Sequence, residues 1–255
     1  MADIYFSHAN GFPAKSYNAM FQHLKPFEVS YIEKIGHSFA NFDGKIESLV
    51  EEHIRKLELT QTCPVIGIGH SSGGIITLLA AAKRPELFSS IILLDPPIFR
   101  TSKRLLSRLG QIFGLDRYLG PANLAKKRRV EFSSRQEVLE SYAQKPVFKN
   151  FNAQCLLDYV THGFEESLNG VCLSFSNETE YEIFRLSQIL HLPLKQLSVN
   201  GTIIYGKKSN LFSQSDASWW KSNSDLRVIP FDGGHLFPFE SPIKTSRLLK
   251  QLIEN

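Results

Sequence analysis

Cysteine is scarce in this chain: Cys63, Cys155 and Cys172 are the only three in 255 residues. Three cannot build a disulfide framework, and their spacing is not that of a metal site, so a reducing compartment is expected. An excess of one charge is also lacking. Lys and Arg number 29 against 25 Asp and Glu, and a net charge of +4 is too weak to argue for a nucleic-acid partner. No apolar run approaches the ~18 residues of a membrane span. No basic segment followed by a long apolar stretch precedes Ile4-Tyr5-Phe6, so no targeting segment is read. Internal repeats and low-complexity tracts are missing too. These absences leave a cytoplasmic globular protein, without stable membrane insertion, long enough to bury a sizeable core.

One local excess stands out. Residues Arg100 to Arg129 hold nine Lys or Arg and one acid, Asp116. A solvated basic face accounts for this; the alternative is attraction of an anionic substrate or surface.

What is present alternates. Short apolar runs (Ile4–Ser7, Val29–Ile32, Val65–Ile68, Ile91–Leu94) are separated by helical patterns (Ser16–Leu24, Phe42–Leu57, Ile75–Ala82). Such alternation predicts an α/β fold, with a parallel sheet and helices on both faces. From Pro96 to about Ser198 the pattern is helical and aromatic, including Phe99, Phe113, Tyr118, Tyr142 and Tyr159, and no strand is read there. Packing is the expected role of these tyrosines. The alternation resumes with Thr202–Tyr205, a helix near Ala217, Leu226–Phe231 and a last helix from Pro242 to Ile253.

Three motifs carry chemistry. Gly69-His70-Ser71-Ser72-Gly73 follows a strand and opens a helix. In that setting G-x-S-x-G is a nucleophile turn: its middle Ser projects at the carboxyl end of the strand, and the helix N-terminus favours a developing oxyanion. A dinucleotide fingerprint starting at Gly67 fails, because Ser72 stands where its third Gly is required. Gly233-Gly234-His235 lies between the last strand and the last helix, where a general base for Ser71 is needed. The other histidines lack that context. His8-Ala9-Asn10-Gly11-Phe12-Pro13 follows the first strand, where a loop amide can join that of Ser72 in an oxyanion hole.

On these motifs the chain resembles the α/β-hydrolase superfamily of serine hydrolases. The resemblance implies a reduced sheet of about six mostly parallel strands, the family's usual first two being absent. It divides the chain into a core of residues 1–95 and 199–255 and a helical cap of residues 96–198. The family's His-Gly-Phe pattern maps the loop donor onto Phe12, with Asn10 as a second candidate. The triad acid usually follows the strand after the cap, but there the chain reads Lys207-Lys208-Ser209-Asn210. Asp95, at the end of the strand before the cap, is the expected acid; Asp216, Asp232 and a dyad without acid remain alternatives.

A Ser nucleophile implies acyl transfer. Hydrolysis of a small-molecule carboxylic ester or thioester through an acyl-enzyme, without cofactor or metal, is therefore expected. The alternatives are C–C bond or amide hydrolysis on the same fold, or a non-catalytic small-molecule binding protein.

Overall fold

A computed structural model describes residues 3–38, 42–61, 64–103, 105, 121–186 and 197–254. Cys63, Phe113, Tyr118 and much of the basic run before residue 121 lie outside them.

The chain begins with β1 (Ile4–Ser7), a turn of 3₁₀ helix at Ala14–Tyr17, α1 (Asn18–Phe21) and β2 (Val29–Tyr31). Next come α2 (Ile46–Thr60), β3 (Val65–His70), α3 (Ser72–Lys83) and β4 (Phe88–Leu94). α2 forms because Ile46, Leu49, Val50, Ile54 and Leu57 recur at helical spacing and bury one stripe.

The segment after β4 is not wholly helical, which corrects the expectation. It holds α4 (Pro121–Lys126), β5 (Glu131–Phe132), α5 (Arg135–Ala143), α6 (Ala153–His162), β6 (Phe164–Ser167), β7 (Gly170–Leu173) and α7 (Asn177–Leu186). Its strands make a small antiparallel sheet in the order β5-β7-β6. They escape a periodicity reading because β5 has two residues and only Phe164 of β6 is buried. Asn169-Gly170, beside the turn that joins β6 to β7, was the available signal. The segment has its own core, in which Phe132, Tyr142, Phe148, Tyr159 and Phe164 are buried together.

The chain then completes the large sheet with β8 (Gly201–Gly206), α8 (Gln214–Asn223), β9 (Arg227–Phe231), α9 (Phe237–Glu240) and α10 (Pro242–Glu254). Six strands lie parallel in the order β2-β1-β3-β4-β8-β9. Side chains alternate across it, as a pleated strand requires. Ile91, Leu93 and Ile203 join the core with α2, α3 and α8, while Ile92, Leu94 and Ile204 join the core with α1 and α10. All strands run one way, so the ends of β3, β4, β8 and β9 meet at a single edge. In open α/β sheets that edge is where ligands bind.

Candidate active site

β3 ends at His70 and α3 begins at Ser72, so Ser71 alone turns the chain between them. Its φ of 53° and ψ of −122° lie where L-residues seldom go. Two glycines permit the turn. A Cβ on Gly69 would stand 2.4 Å from the Gly73 carbonyl oxygen, and one on Gly73 2.2 Å from that of Ser7. Only bare backbone allows strand and helix to close this far. The Ser71 amide donates to the Leu94 carbonyl at 2.9 Å, tying the turn to the end of β4.

The next residue of that strand end is Asp95. It is fully buried, has φ 41°, and donates its amide to Ile204 of β8 at 2.7 Å. Donors converge on its carboxylate. Oδ1 accepts the Gly206 amide at 2.7 Å, and Oδ2 accepts the Ser209 hydroxyl at 2.6 Å. Oδ2 also lies 2.7 Å from Nδ1 of His235. Ser209, at the place where the resemblance would have put an acid, thus holds the acid that stands elsewhere.

His235 arrives on the loop between β9 and α9, whose Gly234 amide donates to Glu240 at 2.9 Å. Its Nε2 is 3.0 Å from Ser71 Oγ. With Nδ1–H donating to Asp95, Nε2 is left to accept the Ser71 proton. The structure therefore brings Ser71, His235 and Asp95 into one line. The competing carboxylates lie elsewhere. Asp216 is buried in the capping box of α8 and accepts the Arg100 amide at 3.0 Å. Asp232 is exposed and pairs with Lys208 at 3.2 Å.

The loop after β1 differs from the first expectation. The Phe12 amide donates to the Ala9 carbonyl at 3.1 Å and so closes a turn within the loop. The Phe12 ring packs on Tyr159 and Phe239, with centroids 5.4 and 5.0 Å away. It is the Asn10 amide that faces the elbow, donating to Ser72 Oγ at 2.9 Å. Of the two loop candidates, Asn10 is the one aimed at the Ser71 turn. The two residues added between His8 and Phe12 form the turn that carries Phe12 away.

Two further residues form a bonded pair that the sequence does not reveal. The Tyr17 hydroxyl accepts the Ala9 amide at 3.1 Å and lies 2.7 Å from Nδ1 of His70. His70 Nε2 lies 3.0 Å from the carbonyl oxygen of His235. One proton arrangement satisfies all three: Tyr17 donates to Nδ1 of a neutral His70, whose Nε2–H donates to His235. Burial, followed by the charge of His235, pushes the His70 pKa well below the usual histidine range. This chain of bonds ties the β1 loop to the loop bearing His235. The signal was the His inside the G-x-S-x-G motif itself.

A family model described as the alpha/beta hydrolase family matches residues 33–247. The chain belongs to the α/β-hydrolase family. The match begins after β2, so the Asn10 loop lies outside it. Rat monoglyceride lipase is 32% identical over 105 residues, which cover 37% of this chain and 35% of the lipase. The alignment thus spans about a third of that relative's length. Among solved structures, E-2-(acetamidomethylene)succinate hydrolase superposes with TM-score 0.76 at 17% identity, over 100% of this chain and 91% of that one. The thioesterase domain from the curacin biosynthetic pathway gives 0.75 at 17% identity, over 99% and 90%. At such identity these two establish the α/β-hydrolase fold alone. No helix among the described residues is long and apolar enough to cross a membrane.

Proposed function

We propose that this α/β hydrolase is a serine hydrolase that cleaves a carboxylic ester or thioester through an acyl-enzyme on Ser71. The observation that carries the reading is the line from Ser71 Oγ through the His235 ring to Asp95, with hydrogen-bond distances of 3.0 and 2.7 Å. A hydroxyl, an imidazole and a buried carboxylate in that order constitute an activated nucleophile. The lipase and thioesterase names among its relatives favour an acyl substrate bonded to oxygen or sulfur.

In this reading Ser71 Oγ attacks the acyl carbon while His235 Nε2 takes its proton. Asp95 keeps Nδ1 protonated and stabilises the imidazolium. The oxyanion is received at the N-terminus of α3 by the Ser72 amide and by the Asn10 amide, which gives up its bond to Ser72 Oγ for the oxyanion. His235 then protonates the leaving alcohol or thiol. Water, deprotonated by the same Nε2, attacks the acyl-enzyme and releases the acid. Residues 96–198 act as a cap over the site.

Two measurements test this. A fluorophosphonate should label the wild type at Ser71 and leave Ser71→Ala unlabelled. A series of p-nitrophenyl esters from acetyl to palmitoyl, with matching thioesters, should reveal turnover and the preferred acyl length. A folded wild type that neither labels nor turns over any of them would sink the reading in favour of a binding protein.

A further inference from the structure

The loop that presents Asn10 is gripped from the segment inserted after β4. Asn10 Nδ2 donates to the backbone carbonyl of Glu180 on α7 at 2.8 Å. The Glu180 side chain turns back over the same loop. It is 3% exposed, and a Cβ on Gly11 would lie 2.1 Å from its Oε1. Gly11 has φ 78°, a conformation that favours glycine, and the Glu180 carboxylate fills the space above it. Arg128, just past α4, forms an ion pair with the Glu180 carboxylate, and its Nη1 would be 3.7 Å from that same Cβ. Asn177 Nδ2 donates to the Arg128 carbonyl at 3.0 Å and ties this cation to the start of α7.

A nearly buried ion pair is poor evidence for stability, because apolar replacements of equal size are often neutral or better. Its placement suggests another role. Glu180 touches Gly11 and, through its carbonyl, Asn10, whose amide faces Ser72. The loop therefore has its reactive amide on one side and a charged clamp on the other.

We propose that Glu180, held by Arg128, is a positioning residue that fixes the Asn10 amide where the oxyanion forms. The inserted segment thereby helps to set the chemistry beneath it. This rests on the serine-hydrolase reading above. Oxyanion donors act through fixed geometry, and loss of one outright costs about 10²–10³ in kcat. A loosened donor should cost less, about 10- to 100-fold.

The test compares wild type, Glu180→Gln, and a double variant with Glu180→Met and Arg128→Met, which leaves no buried charge unpaired. Glu178→Gln serves as control, since Glu178 is exposed and pairs with Lys126 at 3.5 Å, away from the Asn10 loop. Each protein is assayed on one p-nitrophenyl ester and on its thionoester, whose C=S fits an oxyanion hole poorly. Hydrogen exchange is followed at residues 8–13. The clamp predicts that kcat for the oxygen ester falls about 10- to 100-fold in both variants, with KM changed less than about threefold. The thionoester rate should fall less, so discrimination between the two esters shrinks, and the loop amides should exchange faster. Equal losses on both esters, or unchanged exchange at residues 8–13, would overturn the proposal. A wild type that neither labels nor hydrolyses removes the underlying reading and the catalytic claim with it. That failure is visible without any variant, so the two are told apart.

Discussion

The two sides of the site are built differently. On the sheet side, Ser71 and Asp95 each stand one residue beyond a strand, and His235 follows a few residues after β9. Their positions are set by backbone ladders, which admit little freedom. On the side of the inserted segment, the loop and α1 are held by single side-chain contacts rather than by ladders. Asn10 meets Glu180 across 170 positions, and Ala19 meets Asp158 across 139. In the proposed reading the sheet supplies the reacting groups, and the insert constrains the loop that faces them. Variants on the sheet side should therefore abolish activity, whereas those on the insert side should tune it.

The sharpest test of that contrast lies at the sheet edge. Ser71→Ala should lower kcat by about 10⁴–10⁶-fold, because nucleophile and base act as one unit. Asp95→Asn should cost about 10⁴-fold by favouring the wrong His235 tautomer. Asp216→Asn should change the rate by less than about tenfold, a barrier change of ~1.4 kcal/mol. Circular dichroism checks that all three fold. If Asp216→Asn were the inactive variant and Asp95→Asn stayed active, the acid would be misassigned and the sheet-side geometry would lose its meaning.

The same division governs what could be read from the sequence. The alternation of Ile91 and Leu93 with Ile92 and Leu94 announces a strand buried on both faces, and a strand end places Asp95. A sharp strand-to-helix turn likewise needs the small residues around Ser71. These are local, periodic signals. Glu180 and Arg128 carry no such signal, because each is one charged residue in a stretch of charged residues. Their significance exists only once α7 and the end of α4 are folded over Gly11. The choice between Phe12 and Asn10 stayed open in the sequence for a related reason: motif spacing does not say which amide of a six-residue loop faces the elbow. Tyr17 and His70 were visible as residues but not as a bonded pair, being 53 positions apart.

A smaller effect on the sheet side comes from Ser209, which supports Asp95 without touching His235. Removing a hydrogen bond to a charged group costs about 1.5–3 kcal/mol when nothing replaces it. Asp95 retains the Gly206 amide at 2.7 Å, so the loss is shared. Ser209→Ala should therefore lower kcat about tenfold and leave KM nearly unchanged. A loss as large as that of Asp95→Asn would mean that Ser209 does more than hold the acid.

Stability offers a further test, in the histidines buried beneath the sheet edge. Burial pushes His8 down to about 4 and His53 to about 3, and His70 is lowered as well. In the unfolded chain each would take a proton near ~6.5. Between those values the unfolded state binds more protons than the folded one, so stability is complete above about pH 6.5 and lost as pH falls toward 4. Each such group contributes a slope of up to about 1.4 kcal/mol per pH unit. Urea unfolding at pH 7.5, 6 and 5 should show the decline, and His53→Phe should flatten it. A curve that is level from pH 7.5 to 5 would contradict neutral burial of these rings.

The smallest expected effect concerns the basic run, and it separates local charge from net field. Read along the sequence, Arg100–Arg129 is a cation-rich tract with one acid. In the fold, acids meet four of its nine cations, while Arg104, Arg108 and Arg117 lie outside the described residues. Lys103 lies 3.6 Å from Asp216, Lys126 lies 3.5 Å from Glu178, Arg129 lies 2.7 Å from Glu137, and Arg128 pairs with Glu180. Paired charges have weak fields beyond a few ångströms, and at 1 M salt the Debye length falls to ~3 Å. An anionic ester steered by a bare cationic tract would lose kcat/KM steeply as salt rises. With these cations compensated, kcat/KM for a succinyl monoester should change less than about twofold relative to a neutral acyl ester between 0.05 and 1 M salt. A tenfold fall confined to the anionic ester would show that the insert attracts substrate as well as positioning the loop, and the division of labour between the two sides would have to be redrawn.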